Sequence, residues 1–136
     1  MNPLFHELFQ TTRMLSKELN KTLKEHDLFA AQWTVLFCVK QHKEMKLTEI
    51  WKYLNVEAPT ITRTVSRLED LGWIRTFEGI DRREKMVCLS EEATAKFPLI
   101  EASIIKFENE FLRDLSKEEE LLLVGILKKL DNERSE

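Results

Sequence analysis

Thr60, Thr62, Arg63, Ser66 and Arg67 are interleaved with Ile61, Val65, Leu68 and Leu71. On a helix the four apolar residues share one face and leave the hydroxyls and guanidinium groups on the other. Such a short basic face suits the major groove of duplex DNA, where arginine can hold guanine O6 and N7 with two parallel hydrogen bonds and Thr or Ser can reach bases or phosphates. Any solvated helix face is also polar, so this helix alone reads equally well as plain surface. A second group, Asp81, Arg82 and Arg83, lies in a polar stretch after Gly79, between two segments of extended character. Arginines at a hairpin tip suit a neighbouring minor groove, whose negative potential favours guanidinium. Asp81 is an odd neighbour for phosphate. Its expected role is to orient an arginine through a charge-assisted hydrogen bond, the alternative being an ordinary Asp–Arg turn pair. Helix and hairpin together are far more specific than either part, because both would contact one duplex.

The elements that must position these groups follow from periodicity. Leu8, Thr12, Leu15, Leu19 and Leu23 place a first helix over about 4–24, and the apolar run around Trp33, Leu36, Phe37 and Val39 places a buried second helix over about 30–42. Thr48 is the expected cap of a short third helix ending at Leu54, and Asn55 suits a left-handed turn. Pro59 suits the first turn of a fourth helix, about 58–71, which Gly72 stops. Trp73 to Phe77 and Lys85 to Leu89 predict a two-stranded hairpin. Ser90 with Glu91 and Glu92 opens a fifth helix, along which Phe97, Ile100, Ile104, Phe107 and Phe111 form a coiled-coil-like seam. Ser116 and Glu119 make a capping box for a sixth helix that is apolar nearly all round. The fold class expected is mainly α with a small β-hairpin wing: a winged helix-turn-helix lobe over 28–90, flanked by dimerisation helices over 1–25 and 91–136.

With 43 % hydrophobic and 33 % charged residues in a chain of 136, one folded domain is expected and disorder is excluded. The longest uncharged run, Leu28 to Val39, is too short to cross a bilayer, and the start of the chain lacks a secretory signal, so a cytoplasmic protein without a membrane partner is expected. The net charge of −3 hides an asymmetry: residues 57–90 carry 6 basic and 6 acidic side chains, whereas residues 91–136 carry 7 and 12. DNA binding needs a basic face rather than a basic total. The seams of the first, fifth and sixth helices carry more leucine, isoleucine and phenylalanine than a monomer would expose, which predicts a homodimer with Leu8, Leu15, Phe107, Phe111 and Leu121 at its interface.

The segments LTEIWKYLNV, APTITRTVSRLEDLGWI, DRR and LSEEA, with QWTVL in the second helix, resemble the MarR family of regulators over almost the whole chain. That resemblance implies a winged helix domain between helices that make an obligate homodimer, the fourth helix as reader, Arg83 in the minor groove and Asp81 as its orienting partner. It further implies a sequence-specific double-stranded DNA-binding regulator, a repressor on a roughly palindromic operator, and a cleft of the kind that often takes a small aromatic or phenolic effector. Departures from the pattern are Trp51 for a usual Ala, Thr76 for a usual basic residue, Ala93 for a frequent Gly and a wing one residue shorter.

No enzyme, metal site or cofactor is expected. His6, His26 and His42 lack metal-ligand spacing and read as scattered surface residues. Cys38 sits in the most apolar helix and Cys88 in a wing strand, away from any activating helix N-terminus, and both are expected as reduced thiols. Trp33, Trp51 and Trp73 fall at core positions. The rival reading is a winged helix that binds only protein, against which Arg63, Arg67, Arg82 and Arg83 argue.

Overall fold

The computed structural model describes residues 1–131. α1 spans Pro3–Leu23, and Asn2 caps it by accepting from the Leu4 amide at 2.9 Å while Pro3 takes a position that needs no amide donor. A single 3-10 turn, Lys24–His26, follows, and Asp27 at φ 59° turns the chain so that the Leu28 amide reaches back to the Leu23 carbonyl. α2, Ala30–His42, starts without a Ser, Thr or Asp cap. Asn20 Oδ1 accepts from the Ala30 amide at 2.6 Å and Gln32 Oε1 from the Phe29 amide at 3.0 Å, so α1 itself supplies part of the start of α2.

β1 (Glu44–Lys46), α3 (Leu47–Leu54), α4 (Ala58–Asp70), β2 (Ile74–Glu78) and β3 (Lys85–Leu89) complete the lobe, and α5 (Glu91–Phe111) and α6 (Lys117–Lys129) follow. The sheet has three strands in the order β1-β3-β2, all antiparallel, with Met45 opposite Val87 and Val87 opposite Thr76. The expected two-stranded hairpin therefore gains a third strand. Three residues are too few to show a period of two, and β1 exists because β3 has a second edge whose amides and carbonyls need partners. The expected cap also moves by two residues, from Thr48 to Lys46: α3 starts at Leu47, and Glu49 Oε1 accepts from the Lys46 amide at 2.9 Å.

Val35, Leu36, Val39, Ile50, Val65, Leu68, Ile74 and Val87 form the buried centre. Each large aliphatic side chain of this set contributes about 1.5–3 kcal/mol by leaving water. Trp33 and Trp73 are buried and Trp51 packs partly against the same cluster. α5 joins this core along its first half: Ala93, Phe97, Ile100 and Ile104 are buried, and Phe97 stacks on Trp33 with centroids 5.0 Å apart. Three of the five seam residues, Phe97, Ile100 and Ile104, thus have a core role within the protomer. Ser90, itself buried, donates to the Gly72 carbonyl at 2.7 Å and caps α5 through the Ala93 amide at 3.0 Å.

Met1–Ile104 make one compact unit and the chain from Ile105 onward a second. Within the second, the Phe107 and Phe111 rings lie 5.5 Å apart, and the expected capping box forms, with Ser116 Oγ accepting from the Glu119 amide and Glu119 Oε1 from the Ser116 amide. α6 buries none of its residues. Leu121, Leu122 and Leu130 are more than 60 % exposed. Phe107 and Phe111 are half-buried, as is Leu8 on α1, whereas Leu15 is exposed. The last five residues of the expected 91–136 dimerisation segment lie outside the described residues. Among the described residues no helix is long and apolar enough to cross a membrane.

Candidate nucleic-acid interface

Between α3 and α4 the chain turns through Asn55, Val56 and Glu57. Asn55 holds φ 56°, which an Asn tolerates, and the Val56 amide closes on the Trp51 carbonyl at 3.1 Å. Ile61, Val65 and Leu68 then anchor α4 in the core, and Thr60, Thr62, Arg63, Ser66 and Arg67 are all exposed, as helical spacing requires. The Thr62 hydroxyl donates to the Ala58 carbonyl at 2.9 Å and so offers only acceptor capacity outward. Among the described residues the hydroxyls of Thr60 and Ser66 have no protein partner, and they can both donate and accept.

Gly72 at φ 85° ends the helix, and the Trp73 amide bonds the Leu68 carbonyl at 2.9 Å. That bond assigns Trp73 to the helix end, so β2 begins one residue later than alternation suggests. The wing is then fastened to the lobe at two places that the sequence did not announce. Glu69 Oε2, near the end of α4, accepts from the Thr76 amide at 3.1 Å and from the Thr76 hydroxyl. This pairing accounts for Thr76 at a position where the resembled pattern usually has a basic residue: a hydroxyl matches the glutamate and keeps β2 registered on α4. On the other strand, Lys46 Nζ meets Glu84 Oε1 at 2.9 Å, and the hydrogen bond and charge of Glu84 raise the lysine's pKa. Because that lysine is exposed, the pair adds geometry rather than much stability.

At the tip, the Gly79 amide donates to the Glu84 carbonyl at 2.9 Å and the Glu84 amide to the Asp81 carbonyl at 2.8 Å. Asp81 Oδ1 accepts from the backbone amide of Arg83 at 3.0 Å and, among the described residues, pairs with no guanidinium. The expected side-chain pairing is corrected accordingly. A short carboxylate two residues before an amide closes a local turn more readily than it reaches a mobile guanidinium. Asp81 still sets the path of the backbone that carries Arg83.

Arg63, Arg67, Arg82 and Arg83 are exposed, and among the described residues none of their guanidinium groups has an ion-pair or hydrogen-bond partner. Elsewhere, Arg13 bonds Gln10 at 3.1 Å and Arg113 bonds the Glu110 carbonyl at 2.8 Å. The four arginines expected to meet DNA thus keep their donors unused on two adjoining elements.

The histidines and cysteines fit no metal arrangement: among the described residues no group of three His, Cys, Asp or Glu side chains could hold an ion. His26 departs from the expected surface position. It is partly buried, with Nε2 2.9 Å from the Ser103 hydroxyl, which also donates to Glu25 at 3.0 Å, tying the 3-10 turn to α5. Burial pushes the Cys38 thiol up from 9.0 to about 11. The folded protein therefore holds this proton where the unfolded chain releases it, and the associated stability is present below pH 9.0 and lost as pH rises towards 11. We expect the parent's stability relative to Cys38→Ala to fall by roughly 2–3 kcal/mol across that window, and Cys38 to resist alkylation at neutral pH until the protein unfolds. Denaturant titrations at successive pH values check the first statement; rapid alkylation of native Cys38 would contradict the second.

A helix-turn-helix with an exposed basic second helix, followed by a pinned antiparallel wing, defines a winged helix-turn-helix protein. Residues 28–85 match the model of the MarR family. The HTH-type transcriptional regulator YwoH of Bacillus subtilis (strain 168) is 44 % identical over 116 residues, covering 85 % of each chain. The chain belongs to the MarR family, whose members are transcriptional regulators and not enzymes. Its fold superposes with a TM-score of 0.89 on a mutant MarR from E. coli complexed with operator DNA, at 25 % identity and covering 96 % of this chain and 94 % of that one. Overoxidized AbfR bound to DNA gives a TM-score of 0.79 at 20 % identity, covering 95 % and 90 %, and supports the fold.

Proposed function

We propose that this chain represses transcription as a homodimer on a roughly palindromic operator, with α4 in the major groove and Arg83 of the wing in the flanking minor groove. The carrying observation is the set of four exposed arginines on α4 and the wing whose guanidinium groups have no protein partner among the described residues. The likeness to a MarR chain complexed with operator DNA supports the same reading. Residues 28–90 act as the DNA-binding lobe, and 1–25 with 91–136 as the dimerisation segments. Relief by a small aromatic or phenolic effector belongs to this reading. A depression of about 500 Å³ lined by Leu71, Trp73, Ala93 and Lys96 is of suitable size.

Within the interface, Arg63 reads bases and Arg67 holds the backbone. Affinity for duplex DNA should fall steeply with salt, each phosphate contact contributing about −0.9 to the log–log slope. Arg63→Ala should lose roughly 1–3 kcal/mol of discrimination at one position per half-site, whereas Arg67→Ala should weaken specific and random duplexes alike. A flat salt dependence would return the lobe to a protein-binding role. Equal losses on both duplexes for Arg63→Ala would contradict its assignment as the base reader.

A further inference from the structure

The wing tip carries an apolar side chain for which the protomer has no use. Ile80 is 108 % exposed, more than any other large hydrophobic residue described, including Met1 at the chain end. Its backbone is nevertheless fixed. The turn is closed by the Gly79–Glu84 and Glu84–Asp81 backbone bonds and by the Asp81 carboxylate on the Arg83 amide, and Lys46 holds Glu84 from β1. Gly79 suits that closure, because a Cβ there would lie 2.9 Å from the Glu84 carboxylate and 3.0 Å from its Cβ, and Glu84 would have to shift. Folding gains nothing from burying Ile80, since the side chain is as hydrated in the native turn as in an unfolded chain. All of its apolar area is therefore available to a partner. Branching at Cβ restricts χ1, so little side-chain entropy is lost when it docks.

The partner's chemistry is indicated by the neighbours. Arg82 and Arg83 follow in the same short turn, both exposed, and their guanidinium groups have no partner among the described residues. A minor groove offers a floor of negative potential to guanidinium and walls of deoxyribose C–H to an aliphatic group, and apolar side chains beside basic ones are a recurring minor-groove device. We propose that Ile80 is a minor-groove contact residue that packs against the deoxyribose wall beside Arg83 and adds an apolar, salt-independent part to operator affinity. The inference rests on the DNA-binding reading above and adds a contact which that reading does not contain.

Because burying an aliphatic side chain releases no counterions, its removal has a signature that loss of an arginine cannot imitate. Duplex selected by the parent protein from a random-sequence pool is the probe, titrated with parent, Ile80→Ala, Ile80→Val and Arg83→Ala at several salt concentrations. Ile80→Ala should bind about tenfold more weakly per wing, with the salt slope of the parent. Ile80→Val should keep most of the affinity, and Arg83→Ala should lose slope as well as affinity. The thermal midpoint of Ile80→Ala should match the parent, which separates a lost contact from a lost fold. Parent binding to DNA with Ile80→Ala within twofold of it overturns the wall contact while leaving the DNA-binding reading intact. A changed slope for Ile80→Ala overturns the apolar character of the contact. A parent that recovers no duplex from the pool overturns the DNA-binding reading, and the inference with it.

Discussion

Replacing Leu121 and Val124 together by aspartate should convert the protein into a monomer and weaken operator binding by about 10²–10⁴-fold. The two residues lie three apart on α6, so they share a face, and they are 68 % and 48 % exposed. α6 buries no residue in the protomer, although Leu121–Val124, Ile126 and Leu127 make it apolar on nearly every side. Apolar surface of this extent on one helix marks an association site rather than a solvated face. Two carboxylates in such an interface would lose their water, a cost that Lys117 and Lys128, one turn away on the same helix, offset only in part. The protomer core loses nothing, because neither side chain belongs to it. Loss of affinity then follows from loss of linkage: in a dimer, one reading helix bound to its half-site raises the effective concentration of the second. Sedimentation equilibrium with DNA titration on the same samples checks the result. A parent that is a stable, folded monomer at micromolar concentration would remove the two-fold model altogether.

Arg83→Ala is expected to weaken operator binding about tenfold per half-site and to erase any preference for A·T-rich over G·C-rich flanks. The wings of a two-fold protein fall outside its reading helices, and narrow A·T-rich grooves there concentrate the negative potential that guanidinium seeks. The observed turn sharpens the accompanying expectation for Asp81. Its carboxylate accepts from the Arg83 amide, so its effect on DNA passes through the backbone. Asp81→Ala should weaken binding by about fivefold through loss of that bond, whereas Asp81→Asn, which keeps an acceptor oxygen, should stay near the parent. Charge alone predicts the reverse for both, since removing a carboxylate beside phosphate ought to tighten binding. Affinities of the two variants at low and high salt decide the matter: tighter binding by Asp81→Ala would end the turn-closing role.

Much of the framework was legible before any coordinates. The α4 start, the strand Lys85–Leu89 and the Ser116–Glu119 cap stand where the sequence placed them, because each depends on residues adjacent in the chain. The exposed set on α4 followed from one periodicity, with Ile61, Val65 and Leu68 facing in. Boundaries set by longer contacts moved. β2 starts at Ile74 because the Trp73 amide is taken by the end of α4, and α3 starts before Thr48 because Glu49 reaches back to Lys46.

What the sequence determined by itself was the kind of surface: a helix presenting hydroxyls and guanidinium groups, a turn presenting arginines, and a last helix too apolar to stand alone. Those are properties of side-chain type and local spacing, and no fold was needed to see them. Tertiary structure decided how the surface is held. β1, the Lys46–Glu84 pair and the Glu69–Thr76 bond join residues that are distant in the chain, so no local pattern announces them. The same holds for α5, whose uniform seam buries Phe97, Ile100 and Ile104 in the core, Phe97 stacking on Trp33 of α2, which is distant in the chain. Spacing told which residues share a face; which neighbour covers that face is a matter of packing between elements, and only the folded chain settles it.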